Sequence, residues 1–279
     1  MRRPRRLPMT VAAVAIIATV TACTAATNQA ATNQAATSQA TSQASSPGRS
    51  EPPASASASP TALAPPAVPT LDWTACPPAA DGGASTAPFQ CATAAVPVDY
   101  ADPSGPTFEL AVIKYPAVDL STKLGTVFWN PGGPSDSGTE YLPVAAAGFP
   151  AQVHQRFDII SWDPRGMGGH TTPVVQCLDN ADDEAQFLAG ALGSISLPVS
   201  DAEMATFTTA AAGFNQACVR RNGDLLAHLS TADNARDLDL LRQAVGEDTL
   251  NYYGTSYGTF LGATYLNMFP DRVRAAVLD

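Results

Sequence analysis

The sequence predicts an α/β domain on a mostly parallel sheet with helices on both faces. Three observations carry this: short apolar runs without polar alternation, helix-like runs between them, and glycine-rich turns that close the apolar runs. "GTVFWN" (125–130) and "FDIISW" (157–162) are apolar runs of this kind, and strands buried on both faces of a parallel sheet read this way. Their turns are "PGGP" and "DPRGMGG", and a third, "GTSYG", closes "TLNYYG" (249–254). Sites in this class form at the carboxyl ends of strands.

The elements follow in order. "ATAAVPVDY" (92–100) and "TFELAVIKYPA" (107–117) read as strands joined by the turn "ADPSGP". Residues 138–153 read as a helix interrupted by Pro143 and Pro150. An acidic, Ala-rich segment after residue 176 reads as a helical excursion bracketed by Cys177 and Cys218. "STADNARDLDLLRQAVG" (230–246) is a firmer helix. Ser230 and Asp233 start it in the manner of a capping box, Leu238, Leu241 and Val245 share a face, and Gly246 ends it. The elbow then leads into a helix (256–269) stopped by Pro270, and "VRAAVLD" (273–279) reads as one more strand.

Ahead of the domain, residues 1–22 combine "MRRPRR" with an apolar run too short for a comfortable membrane span, which reads as an export signal. It ends in "VTAC", and a small-residue site followed by Cys23 resembles a bacterial lipobox. Cys23 is therefore the expected point of lipidation, an anchor on a membrane surface. Residues 23–70, with degenerate "AATNQ" repeats and a Pro/Ala/Ser-rich stretch, are expected to be a disordered tether. The domain is expected over 71–279.

Of fifteen basic residues four precede the expected cleavage site, leaving eleven against twenty-five acidic ones, a net charge of −14. That balance offers no basic footprint for nucleic acid. Besides Cys23 there are four cysteines, an even number suited to disulfides in an exported protein. Four permit three pairings, and proximity favours Cys76 with Cys91 and Cys177 with Cys218. No close Cys and His cluster suggests a metal, and nothing in the visible chemistry requires a cofactor.

Gly254, Thr255, Ser256, Tyr257 and Gly258 match G-x-S-x-G between a predicted strand and a predicted helix. The sharp turn needs glycines because side chains there would collide with neighbouring elements. It lifts the serine hydroxyl out of the sheet as a nucleophile and puts the Tyr257 amide at a helix N-terminus, where it can donate to an oxyanion. In "NPGGPSDSG" (130–138), Gly132 or Gly133 is the candidate for the second oxyanion donor. Asp163 and Arg165 are expected to support their loop through a buried ion pair or a backbone-bonded arginine.

Together "VPVDY", "FWNPGGP", "DPRGMG", "STADNARDLDLLR" and "NYYGTSYGTFLGATYLNMFPDRV" resemble the α/β-hydrolase fold. Within it they resemble the secreted tripeptidyl aminopeptidase and proline iminopeptidase group of serine peptidases. The resemblance covers about residues 71–279 and is most specific over the last fifty. It implies Ser256 as nucleophile, Tyr257 and Gly132 or Gly133 as oxyanion donors, a peptide substrate, and support for the two disulfides. This chain departs from the pattern at Pro134, Ser135 and Asp136, which bring a carboxylate near an oxyanion site, and at His170, where serine is usual.

A third departure bears on activity. In this fold the triad runs Ser, acid, His along the chain, yet His154, His170 and His228 all precede Ser256, and only Asp271 and Asp279 follow it as acids. The resemblance places residue 279 within about the sixth strand, so the expectation is the front part of a hydrolase, incomplete or inactive by itself. The expected function is an exported, membrane-anchored serine aminopeptidase acting through an acyl-enzyme. The alternatives are an esterase or lipase of the same fold, or a non-catalytic surface lipoprotein.

Overall fold

A computed structural model describes residues 64–77, 88–167, 169–192 and 199–279. The export signal, Cys23 and most of the expected tether lie outside the described residues.

Seven strands form one sheet in the order β1-β2-β3-β5-β4-β6-β7. They are β1 (Thr74–Ala75), β2 (Gln90–Pro97), β3 (Thr107–Tyr115), β4 (Gly125–Asn130), β5 (Phe157–Trp162), β6 (Leu250–Gly254) and β7 (Val273–Leu278). β4 pairs in parallel with β5 and β6, and β6 in parallel with β7. The pairings among β1, β2, β3 and β5 are antiparallel. The sheet is therefore mixed, and its parallel half carries the three glycine turns. The "VRAAVLD" strand is seventh rather than sixth, because Thr74 and Ala75 add a two-residue strand too short to show in the sequence.

Both faces of the sheet are covered, as the unbroken apolar runs require. Alternate residues go to opposite sides: Val112, Phe128 and Ile160 join Leu238, Leu241, Leu261 and Tyr265 in one core cluster. Their neighbours Ile113, Trp129 and Ile159 join Leu142 in the other. The first face is covered by α5 (Thr231–Ala244) and α6 (Tyr257–Met268), the second by α1 (Gly138–Ala145). Leu238 and Leu241 are fully buried, so truncating either to alanine costs about 2–5 kcal/mol.

Local signals explain where helices start and stop. Ser230 caps α5 by accepting from the Asp233 N–H at 3.1 Å, and Gly246 ends the region at φ 77°. Ser137 caps α1 in the same way, accepting from the Glu140 N–H at 3.1 Å. Pro143 does not interrupt this segment as expected: it lies inside α1, which has only eight residues and few bonds to lose. The break comes at Ala146–Gly148, and Pro150 caps a further helix, α2 (Ala151–Arg156).

The excursion after residue 176 is two helices, α3 (Ala181–Leu192) and α4 (Asp201–Asn222). Both expected disulfides are present, Cys76–Cys91 and Cys177–Cys218. Cys177 and Cys218 hold the excursion's two roots with Cα atoms 4.1 Å apart. Among the described residues no helix is long and apolar enough to cross a membrane.

Candidate active site

Ser256 sits between β6 and α6 with φ 54° and ψ −121°, the only non-glycine residue at positive φ among the described residues. Such a conformation costs on the order of 1–3 kcal/mol and persists only where neighbours impose it. Here they do. The Ser256 N–H donates to the Asp279 carbonyl at 2.8 Å, and the Thr255 N–H to the Asn130 carbonyl at 3.0 Å. Its side chain is exposed and makes no capping hydrogen bond to α6.

The flanking glycines have the steric role the motif predicts. A Cβ on Gly254 would lie 2.3 Å from the Gly258 carbonyl oxygen, and one on Gly258 would lie 2.7 Å from that of Asn130. The Tyr252 hydroxyl donates to the Gly258 carbonyl at 2.8 Å and closes the turn from below. Burial, with Tyr257 nearby, holds that hydroxyl's pKa well above the usual phenol range.

The two candidate oxyanion glycines divide their roles. Gly132 (φ 111°) is pressed against the elbow: a Cβ there would lie 3.0 Å from Ser256 Cβ and 3.2 Å from Tyr257 N. Its N–H donates to Asn130 Oδ1 at 3.1 Å, so that donor is already engaged. The N–H groups of Gly133 and Tyr257 have no acceptor among the described residues. Asn130 thus pins both turns with one residue, its carbonyl holding the elbow and its side chain the oxyanion loop.

Asp163 and Arg165 both support this end of the sheet, with separate partners. Asp163, fully buried, accepts from the Ser137 hydroxyl at 2.7 Å and the Thr139 N–H at 2.9 Å. It therefore fixes the N-terminus of α1, the segment that follows the oxyanion loop. Arg165 is paired with Asp237 of α5, donating from Nη2 at 2.6 Å and Nε at 2.8 Å. Its other N–H groups reach the carbonyls of Pro97, Val98 and His228, so all five guanidinium donors are satisfied.

Burial opposes the charge of Arg165, but the bonds to Asp237 outweigh it and keep its pKa above the ordinary value. Burial likewise pushes the Asp237 carboxyl up, against the pull of Arg165. Burial also lifts the Tyr100 hydroxyl, which donates to Asp237 at 2.7 Å, far above the phenol range.

The histidines make other contacts. His154 stacks on Tyr115 and has Nε2 3.0 Å from the Pro116 carbonyl. His170 is exposed, and His228 has Nδ1 3.9 Å from Asp99. None of the three contacts Ser256 among the described residues. Asp136, next to the oxyanion loop, is half-buried. Asp279 accepts from the Tyr253 hydroxyl at 3.0 Å, and Asp271 is exposed in the turn before β7.

Sequence reasoning passed over Asn130, Asp237 and Thr231, whose hydroxyl is hydrogen-bonded to that of Tyr257. One signal was present: Asp237 falls between Ala235 and Leu238 on the inward side of α5, where a lone carboxylate implies a buried partner.

The family model described as the alpha/beta hydrolase fold matches residues 126–279. A tripeptidyl aminopeptidase of Streptomyces coelicolor is 37% identical over 212 residues, covering 75% of this chain and 37% of its own length. The serine protease Hip1 of Mycobacterium tuberculosis is 38% identical over 190 residues, covering 68% of this chain and 35% of its own. Carboxylesterase B of the same organism is 36% identical over 227 residues, covering 80% and 42%. This chain thus spans well under half the length of these relatives. With a strained serine elbow inside the matched region, the chain belongs to the α/β-hydrolase fold family.

Proposed function

We propose that this protein is an exported serine peptidase that removes short peptides from N-termini. Ser256 attacks the scissile carbonyl, and the N–H groups of Tyr257 and Gly133 stabilise the oxyanion that forms. The observation that carries this reading is Ser256 itself: an exposed, uncapped hydroxyl on a residue held at positive φ beside two unengaged amides. The aminopeptidase and protease names of two relatives incline the substrate toward peptides. Two disulfides support an extracytoplasmic location, with Cys23 as the proposed lipid anchor.

A serine of this kind needs a base, and none of the three histidines contacts it. Ser256 is expected to act only where an acid and an imidazole are brought to it. A polypeptide of these 279 residues alone keeps only oxyanion stabilisation and binding, on the order of a thousandfold over water.

The test is hydrolysis of a tripeptidyl chromogenic amide by the full-length protein, alongside Ser256→Ala. The substitution is expected to lower kcat by about 10⁴-fold or more. A variant that retains turnover would remove Ser256 from the mechanism. A carboxylesterase among the relatives favours one second reading, ester hydrolysis through the same oxyanion. It predicts that ester substrates turn over and the amide does not.

A further inference from the structure

The oxyanion loop, residues 131–136, crosses from the end of β4 to the cap of α1 as an irregular turn. Among the described residues, one hydrogen bond joins it to anything outside itself: the Gly132 N–H donates to Asn130 Oδ1 at 3.1 Å. This is the turn an asparagine side chain makes with the N–H two residues on.

The anchor is built into the sheet. Asn130 is 1% exposed. It is the last residue of β4 and stands opposite Gly254, the last of β6. Its carbonyl accepts from the Thr255 N–H at 3.0 Å, so the residue that holds the loop also holds the chain one residue before the nucleophile. Its Oδ1 lies over the first turn of α6, where a Cβ on Gly258 would come within 3.0 Å of it. The second glycine of the elbow thus leaves room for the amide that fixes the loop.

Oxyanion donors act only at about 2.7–3.1 Å from the charged oxygen, which makes their spacing the quantity to control. One donor, the Gly133 N–H, is on the loop, and the other, the Tyr257 N–H, is on the elbow. The two stretches already touch at Gly132, where a Cβ would lie 3.2 Å from Tyr257 N. A misplacement of about 1 Å at such a site costs on the order of a hundredfold in rate.

Resting on Ser256 as nucleophile, we propose that Asn130 is a positioning residue: its Oδ1 sets the distance between the two oxyanion donors by holding the loop that carries Gly133 against the elbow that carries Tyr257. Asn130 acts through those amides. Its effect falls on the transition state, where the oxyanion exists, and leaves ground-state binding unchanged.

The experiment follows the labelling of Ser256 in the full-length protein by a fluorophosphonate. Oγ displaces fluoride from phosphorus, and the phosphonyl oxygen takes the oxyanion's place. The saturating rate (kinact) and the half-saturating concentration (KI) are measured per site that finally labels, so misfolded protein drops out. Asn130→Ala, which removes the acceptor, is expected to lower kinact about 100-fold with KI unchanged. Asn130→Ser, whose hydroxyl forms the same turn more weakly, is expected to lower it about tenfold. A kinact within about threefold of the unmodified protein in the alanine variant overturns the proposal, and so does a loss carried by KI instead. Should the alanine variant not fold, the serine variant decides by the same threshold. No labelling of the unmodified protein removes the nucleophile and the proposal with it, while labelling that the variants leave unchanged removes the proposal alone.

Discussion

Asp237 and Asp239 stand two residues apart on α5, and both are buried carboxylates with arginine partners, yet they brace different parts of the molecule. Asp237 reaches toward the site's supporting loop, to Arg165 and Tyr100. Asp239 reaches toward the helix that begins after the nucleophile. It accepts from Arg242, Gln243 and Tyr265, the last at 2.8 Å, and from Arg272 ahead of β7 at 2.5 Å. The first network is closed to solvent, with side-chain exposure of 0% for both charges. The second is open at one end, where the Arg272 side chain is 48% exposed. One helix thus braces both sides of the site, with a dry clamp on one side and a wetted one on the other.

The sharpest way to break the comparison is Asp237→Ala, which strands a guanidinium with no water to take over. A loss of about 3–5 kcal/mol is expected in urea unfolding. Asp239→Ala leaves Arg272 free to turn to solvent and Arg242 still bonded to the carbonyls of Glu247 and Asp248. About 2 kcal/mol is expected there. Equal losses would mean that solvent access does not separate the two clamps.

Alkaline pH probes each clamp through its tyrosine. Burial and the adjacent carboxylate hold both Tyr100 and Tyr265 above the ordinary phenol value of 10.0. A group whose pKa is raised by folding contributes stability below its unfolded pKa and loses it as pH rises. Thermal stability should therefore fall as pH climbs past 10. The fall should be shallower in Tyr100→Phe and in Tyr265→Phe, as followed by melting temperature against pH.

The smallest expected effect is the coupling between the clamps. They share no partner, so the double variant Asp237→Ala/Asp239→Ala should be additive to within about 0.5 kcal/mol. A larger coupling would show that α5 transmits strain between them.

Much of this architecture was legible because local rules and tertiary demands agree. Runs such as "GTVFWN" are unbroken because Phe128 and Trp129 face opposite cores. The elbow was legible because its five-residue pattern is local, Gly254 answering to the Gly258 carbonyl four residues on, although Gly258 itself answers to the distant Asn130. What escaped depends on distant pairing: nothing near Asn130 reveals that it would hold the Thr255 amide 125 residues later, or that Arg165 would choose Asp237 over its neighbour Asp163. The β1 strand escaped for another reason, since two residues leave no periodicity to read.

The stapled excursion carries a consequence for how this fold can vary. Cys177 and Cys218 hold entry and exit together, and Asn222 exchanges hydrogen bonds with the backbone of Gln176 at the same point. From the domain's side, α3 and most of α4 therefore behave as a graft on one fixed stem. Length, charge or an entire foreign module could be exchanged between those two cysteines while Arg165 and Asp237 hold the scaffold beneath, which makes this the natural place to insert a reporter or to diversify a surface.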